Sequence, residues 1–477
     1  MQSRKIKVAS SLILLVISLT ICSSCNRKPV EGNLIITLVD KQNESPDYLT
    51  GKNWRYINRT RLAIIDPAKP EKSFQLLTQD FFSASSPDIS YDGGKMVFAG
   101  QKEENDIWQI WEMDLHSMKT RQLTSANENS IDPSYLPGGT ILFSSCPVND
   151  SLKSGHSLYT CKADGNDIKR ITFNPHTYFA SSVLKDGRIL TVSRQNFPVS
   201  GSSAFMVLRP DGTKCELFYK GDEGRNLISK GLETESGSVL FIESDDSMSI
   251  GGDIISIKYN RPLHSRINLT ESGGGKFYSA FPIQAGMLIV SCRPSENEPI
   301  SLYEYDLTTM KIGRKIFSYT GNEIIDAVPV RAHEKQKKLP SEVDSGVKTG
   351  LLLCQNINVS GMQSPEITQT KLNATRIEIM GIDSSLGVID VENDGSVYLK
   401  ITADMPFRIK TIDSEGKVVS GPGSWLWIRP NERRGCVGCH EDNEMVPANR
   451  LANAVKKAPV AVPVHLSGIK EKNIELE

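Results

Sequence analysis

Beyond the N-terminus the chain has little helical periodicity. Short runs in which Val, Ile, Thr and aromatic residues alternate with polar ones are separated by clusters of Gly, Asp, Asn and Pro. A period of two between turn signals predicts half-buried strands joined by tight turns, so the chain reads as almost entirely β.

Above this alternation lies a longer repeat. Leu77-Thr78, Leu123-Thr124, Ile171-Thr172 and Leu269-Thr270 each close a segment, with spacings of 46, 48 and then 98, twice 49. The skipped member falls near Leu217-Phe218. A turn followed by an apolar strand recurs upstream of each closure, clearest in Ser86 to Ala99 and Ile131 to Ser144. Weaker copies run over 182–192, 232–242 and 281–290. A third element, an alternating strand ending in Asp or Asp-Gly, appears at 108–114, 158–165, 205–212 and 302–306. One period therefore holds about four short strands, which is a propeller blade. The blades fall near 33–78, 79–124, 125–172, 173–220, 221–270 and 271–318. Six blades are expected, or seven if 319–335 supply more than a closing strand. The Pro-Asp, Asp-Gly and Leu-Thr progression resembles that of TolB-like propellers. Such a blade motif carries little functional information, because propellers host enzymes, adaptors and sensors alike.

The repeat stops at a charged, turn-rich stretch, 333–350, which reads as a linker. Five strand patterns follow: Gly350–Cys354, Thr375–Met380, Leu386–Val391, Val397–Ile401 and Phe407–Ile412. Asn393-Asp394-Gly395 and Ser414-Glu415-Gly416 are the expected hairpin turns. The expected fold class is thus all-β: a TolB-like β-propeller over 33–332, the linker 333–350, and a small β-sandwich-like domain over 351–477.

The first residues carry a different signal. Arg4, Lys5 and Lys7 precede the apolar run Val8 to Ile21, which ends in Cys22-Ser23-Ser24-Cys25. This resembles a bacterial lipoprotein signal peptide, residues 1–24, with Cys25 as the lipidated residue and 25–32 as a tether. An uncleaved N-terminal anchor is the alternative, and either reading exports the rest of the chain to face the periplasm or cell surface. Formal charge is −1; losing 1–24 removes three positive charges and no acids, leaving −4. No basic footprint for nucleic acid remains. In an oxidising compartment Cys146 and Cys161, on neighbouring strands of one blade, could pair as a disulfide; buried small hydrophobes are the alternative for all five central cysteines.

The stretch with chemistry in its spacing is Cys436-Val437-Gly438-Cys439-His440, the C-x-x-C-H signature of covalent c-type haem attachment. Two thiols can form thioethers to the vinyl groups, and the adjacent imidazole then faces the iron as proximal ligand. A dithiol redox pair or half of a zinc site is the alternative, but the flanking Trp425-Leu-Trp-Ile-Arg-Pro430 does not suggest a helix start and no second C-x-x-C lies outside the N-terminal segment. Trp425 and Trp427 share a face, either over the haem or in the sandwich core. Arg429, Arg433 and Arg434 suit haem propionates, with solvated surface arginine as the alternative. Glu444 and Met445 are nearby candidates for the sixth iron position; His465 and His333 are more distant. His116, His156, His176 and His264 read as loop or surface residues of blades.

From Asp394 to Glu441 the sequence resembles the middle domain of the hydrazine synthase alpha subunit family, including Pro430-x-Glu432-x-x-x-Cys436-x-Gly438-Cys439-His440-Glu441. The resemblance extends over most of the chain. It implies one covalent haem c held by Cys436 and Cys439, with His440 proximal, on a β scaffold preceded by a propeller. Hydrazine synthesis joins several haems and subunits, so one C-x-x-C-H is not expected to support it. The expected function is a lipid-anchored mono-haem protein for electron transfer or haem-based chemistry, with a redox partner protein or small molecule. The alternative is a propeller-based module binding protein or glycan, its haem structural or sensory.

Overall fold

The Leu-Thr closures do the same physical work in four blades of the computed structural model, which describes residues 32–40, 56–245, 251–271, 274–359, 373–438 and 450–464. Thr78, Thr124, Thr172 and Thr270 are buried. Their hydroxyls accept the N–H of Leu62, Ile110, Leu158 and Ile254 at 2.9, 2.9, 2.9 and 3.1 Å. The same four residues accept, at their carbonyls, the N–H of Leu77, Leu123, Ile171 and Leu269. Each closure thus continues the outer-strand ladder of its blade by one residue and leaves no main-chain group of the third strand orphaned there.

Six antiparallel sheets result, each running from an inner to an outer strand. Blade 1 is composite: Asn322–Val330 is innermost, followed by Asn33–Asp40, Arg61–Ile65 and Gln75–Leu76. The last propeller strand therefore closes the ring on the first, and 319–335 add one strand and no seventh blade. Blade 2 contains Ser83–Ile89, Lys95–Gln101, Gln109–Asp114 and Thr120–Gln122; blade 3 contains Ser130–Tyr135, Thr140–Ser145, Ser157–Lys162 and Lys169–Arg170. Blade 4 contains His176–Val183, Ile189–Gln195, Ser203–Leu208 and Glu216–Lys220. Blade 5 is built on Ser238–Ser244 and Asp253–Lys258, and blade 6 runs from Lys276–Gln284 to Lys311–Phe317.

The Pro87-Asp88 and Asp132-Pro133 pairs lie inside inner strands, at bulges, where a residue without an N–H is tolerated. Ser86, Asp132 and Ala180 have φ of 54°, 51° and 50° at equivalent bulges of blades 2, 3 and 4. Asp132 accepts Ser86 Oγ at 2.8 Å and Ala180 N–H at 2.9 Å, stitching three inner strands together.

The residues after the propeller follow its edge. His333 N–H donates to Tyr91 O, Lys337 N–H to Lys185 O, and Glu342 N–H to Asp211 Oδ2. Gly187 has φ +89° and its hypothetical Cβ would stand 1.9 Å from Lys337 O, so the strap passes where only glycine fits.

Beyond the strap, two four-stranded sheets face each other. One orders Arg433–Cys436, Thr349–Cys354, Val397–Thr402 and Val460–Val462; the other orders Ser385–Asp390, Arg376–Met380, Arg408–Ile412 and Val418–Ser420. Leu352, Cys354, Ile377, Ile379, Leu399, Ile401 and Phe407 fill the space between them. Ser414-Glu415-Gly416 makes the expected hairpin. Asn393-Asp394-Gly395 does not: the strands around it belong to different sheets. Asp394 accepts Ser396 N–H and Oγ and Asn453 N–H, which turns the chain across the sandwich. Alternation alone cannot separate a hairpin from such a crossover, because both bury the same face of each strand.

Candidate functional site

The segment 425–438 is shared between the two units, and its alternation decides which side chain goes where. Leu426 and Ile428 face the sandwich core. Trp427, 1% exposed, enters the propeller among Leu136, Leu158, Tyr178, Leu208 and Cys215, between blades 3 and 4. Trp425 is also buried and donates Nε1–H to Phe197 O at 2.8 Å. The tryptophans do share a face, and that face meets the propeller rather than filling the sandwich core.

Next comes a buried polar knot. Glu432 is 0% exposed and accepts Arg429 N–H at 2.7 Å and Lys214 N–H at 2.8 Å. Arg434 donates to it through Nε at 3.0 Å and Nη2 at 2.8 Å. One carboxylate therefore joins a propeller loop, the turn before the motif and the motif strand. The Arg429 guanidinium pairs with Asp404 at 2.6 Å, donates to Asp211 O and lies 4.5 Å from the Phe173 ring centre. Burial pushes the Asp404 carboxyl up, and Arg429 opposes it. Two of the three arginines considered for propionates are thus engaged inside the protein; Arg433 is exposed.

The motif begins on an edge strand. Arg433–Cys436 runs parallel to Thr349–Cys354, with Cys436 in register with Cys354. Cys436 is half-buried against the sandwich core. Main-chain pairing continues past the strand: Gln355 N–H donates to Cys436 O at 2.9 Å and Asn356 N–H to Val437 O at 3.2 Å. A Cβ on Gly438 would stand 2.4 Å from Val359 O, so glycine is required by close backbone approach. Cys439, His440, Glu444, Met445, His465 and Cys25 lie outside the described residues.

Other sequence expectations resolve differently. No disulfide joins Cys146 and Cys161: strand pairing sets Cys161 opposite Ile141 and Ser145 opposite Ser157, at opposite ends of the hairpin. Burial pushes the Cys161 thiol up to about 11 and Cys215 up to about 12, as for small hydrophobes. His156 is buried and hydrogen-bonds Tyr56 OH. His176 Nδ1 meets Ser193 Oγ at 2.8 Å while its Nε2 is sealed from solvent, and burial pushes the imidazole down to about 3. Neither is a surface histidine. His333 lies on the strap, its ring 4.9 Å from that of Tyr91. Sequence reasoning assigned no role to Glu432; the signal was an acid two residues after Pro430, between arginines.

Ring closure by the last strand, five four-stranded blades, one five-stranded blade and an appended sandwich define a six-bladed β-propeller protein, with Cys436 on the outermost described strand of one sandwich sheet. The chain is hydrazine synthase alpha-like. Residues 323–441 match the family described as the hydrazine synthase alpha subunit middle domain, from the ring-closing strand to just past the motif. Hydrazine synthase subunit alpha of Kuenenia stuttgartiensis is 20% identical over 77% of this chain and 61% of its own length. The solved structure of Kuenenia stuttgartiensis hydrazine synthase superposes with a TM-score of 0.78 at 19% identity, over 89% of this chain and 71% of that one. The chain thus spans less than two thirds of its curated relative. Among the described residues no helix is long and apolar enough to cross a membrane.

Proposed function

We propose that this chain is an exported, lipid-anchored mono-haem c-type protein, anchored through Cys25, that exchanges electrons with a partner protein or acts on a small molecule at the haem. Cys436 and Cys439 would hold the haem through thioethers, and His440 would be the proximal ligand. The bound group would supply one-electron redox chemistry, with the sixth position set by Glu444, Met445 or a small molecule.

The observation that carries this reading is the placement of Cys436 at the end of an edge strand, half-buried and pinned through Gln355 and Asn356. Among the described residues this is the outermost strand of its sheet, so a planar group lying against the sandwich beside it would interrupt no pairing between described strands. The chemistry of the set also fits: two thiols three residues apart followed directly by an imidazole. Glu432 and Arg434 fix the strand's entry and so act as positioning residues.

The test is the optical spectrum of denatured protein produced with c-type haem maturation machinery. Covalent haem should survive acid-acetone extraction in the wild type and be lost in Cys436→Ser/Cys439→Ser. Absence of covalent haem in the wild type would sink the proposal. Spectral change on adding nitric oxide or carbon monoxide to the reduced protein would place the function at an open iron site; no change would favour electron transfer.

A further inference from the structure

At the C-terminal ends of the propeller's inner strands the axis opens into a cavity of about 620 Å³ to which all six blades contribute. Its walls are mostly apolar, with Leu232, Phe281, Ile283 and Val328 from blades 5, 6 and 1. Five charged side chains interrupt them: Glu235 and Arg331 are exposed, Glu233 accepts Lys185 N–H at 2.8 Å, and Asp88 and Lys230 are half-buried. Asp88, on the inner strand of blade 2, uses one carboxylate oxygen to accept Tyr135 N–H at 2.8 Å. Lys230, from blade 5, extends Nζ to Ser134 Oγ at 3.4 Å. Asp88 and Lys230 feel each other electrostatically, yet among the described residues neither belongs to an ion pair. Burial pushes the Asp88 carboxyl up, with Lys230 and His333 opposing.

An acid and an ammonium kept apart in one apolar cavity are costly unless something satisfies both. The Asp-Pro and Pro-Asp bulges account for Asp132, which is consumed by Ser86 and Ala180, but not for Asp88. A second face of the cavity is closed by the strap, where Gln336 Oε1 accepts Tyr91 OH at 2.7 Å. The opening is thereby narrowed on the side of blade 2, which suits a small occupant.

We propose that this cavity binds a small bipolar ligand of the α-amino-acid class, its carboxylate on Lys230, its ammonium on Asp88 and its apolar side chain against Phe281 and Ile283. A ligand with both charges neutralises both side chains; a ligand with one leaves the other half-buried without a counter-ion. The site is independent of the haem assignment, since none of its groups belongs to the motif strand.

Thermal unfolding of the full chain with L-leucine, L-leucinamide and 4-methylpentanoate tests it. Leucine should raise Tm, and each analogue lacking one charge should need about 10-fold more for the same shift. Lys230→Met should reduce leucine to the level of leucinamide, and Asp88→Asn to the level of 4-methylpentanoate. Should either variant fail to fold, the wild-type series decides alone. No Tm shift with leucine up to about 10 mM, or equal shifts with all three compounds, would overturn the proposal.

Discussion

Replacing Glu432 by alanine tests whether the knot below the motif holds the two units together. The carboxylate is fully buried and has four donor atoms around it: Arg429 N, Lys214 N, Arg434 Nε and Arg434 Nη2. Removal orphans two main-chain N–H groups at roughly 1 kcal/mol each, near the low end because water can enter at the seam. It also strands a guanidinium that is 10% exposed, where breaking a buried pair costs about 3 kcal/mol. The expected loss is therefore about 5 kcal/mol. Glu432→Gln keeps one acceptor oxygen and should lose about 2 kcal/mol. Combining Glu432→Ala with Arg434→Met removes the stranded charge and should recover about 2 kcal/mol, a coupling that independent sites would not show.

Urea unfolding read by tryptophan emission is the assay, because two of the five tryptophans, Trp425 and Trp427, line the seam. Far-UV circular dichroism follows the sheets in parallel, and Glu432→Ala should separate the two transitions. A loss under about 1 kcal/mol, or no recovery with Arg434→Met, would refute the account of Glu432 as the joint.

Gly438→Ala would press a methyl against Val359 O and should lower covalent haem yield several-fold under maturation conditions; Gly435→Ala, with nothing within 4 Å of its Cβ, should leave the yield unchanged. Thr172→Val deletes the acceptor for Leu158 N–H and should lower stability by about 1 to 2 kcal/mol in urea titrations, as should its counterparts in other blades. His176 is held neutral, its folded pKa lowered from 6.5 to about 3. The unfolded chain takes up that proton first, so this contribution is complete above pH 6.5 and is lost as pH falls toward 3. At pH 5 the loss is at most about 2 kcal/mol, and His176→Gln should flatten the stability profile between those limits.

Four of the blades were readable because each repeats one solution to the same local problem. A buried Thr hydroxyl satisfying a third-strand N–H recurs at 78, 124, 172 and 270, so the repeat in sequence is a repeat in hydrogen bonding. Blade 4 lacks the signal because its outer strand, Glu216–Lys220, is longer and pairs through Leu217 and Tyr219 directly. The Asp-Gly turns were readable for a similar reason: a left-handed glycine is demanded locally. The crossover at Asn393 to Gly395 was not, since its outcome depends on Asn453, far along the chain.

The site divides along the same line. The C-x-x-C-H spacing is local and needs no fold to be seen. The partners of its neighbours are not local: Trp425 meets Phe197, Arg429 meets Asp211 and Asp404, and Glu432 meets Lys214. Each of those residues sits beside the motif in sequence yet spends its side chain on the propeller seam or on the turn that reaches it. Proximity to Cys436 therefore could not show that two arginines and two tryptophans are engaged at the seam. What they do there is hold the motif strand against a rigid ring, so the position of Cys436 is set by blades 3 and 4 as much as by the sandwich that carries it. It follows that loosening the seam, without touching either thiol, should reduce haem attachment; Glu432→Ala and Trp427→Ala should do so in proportion to the seam stability each removes.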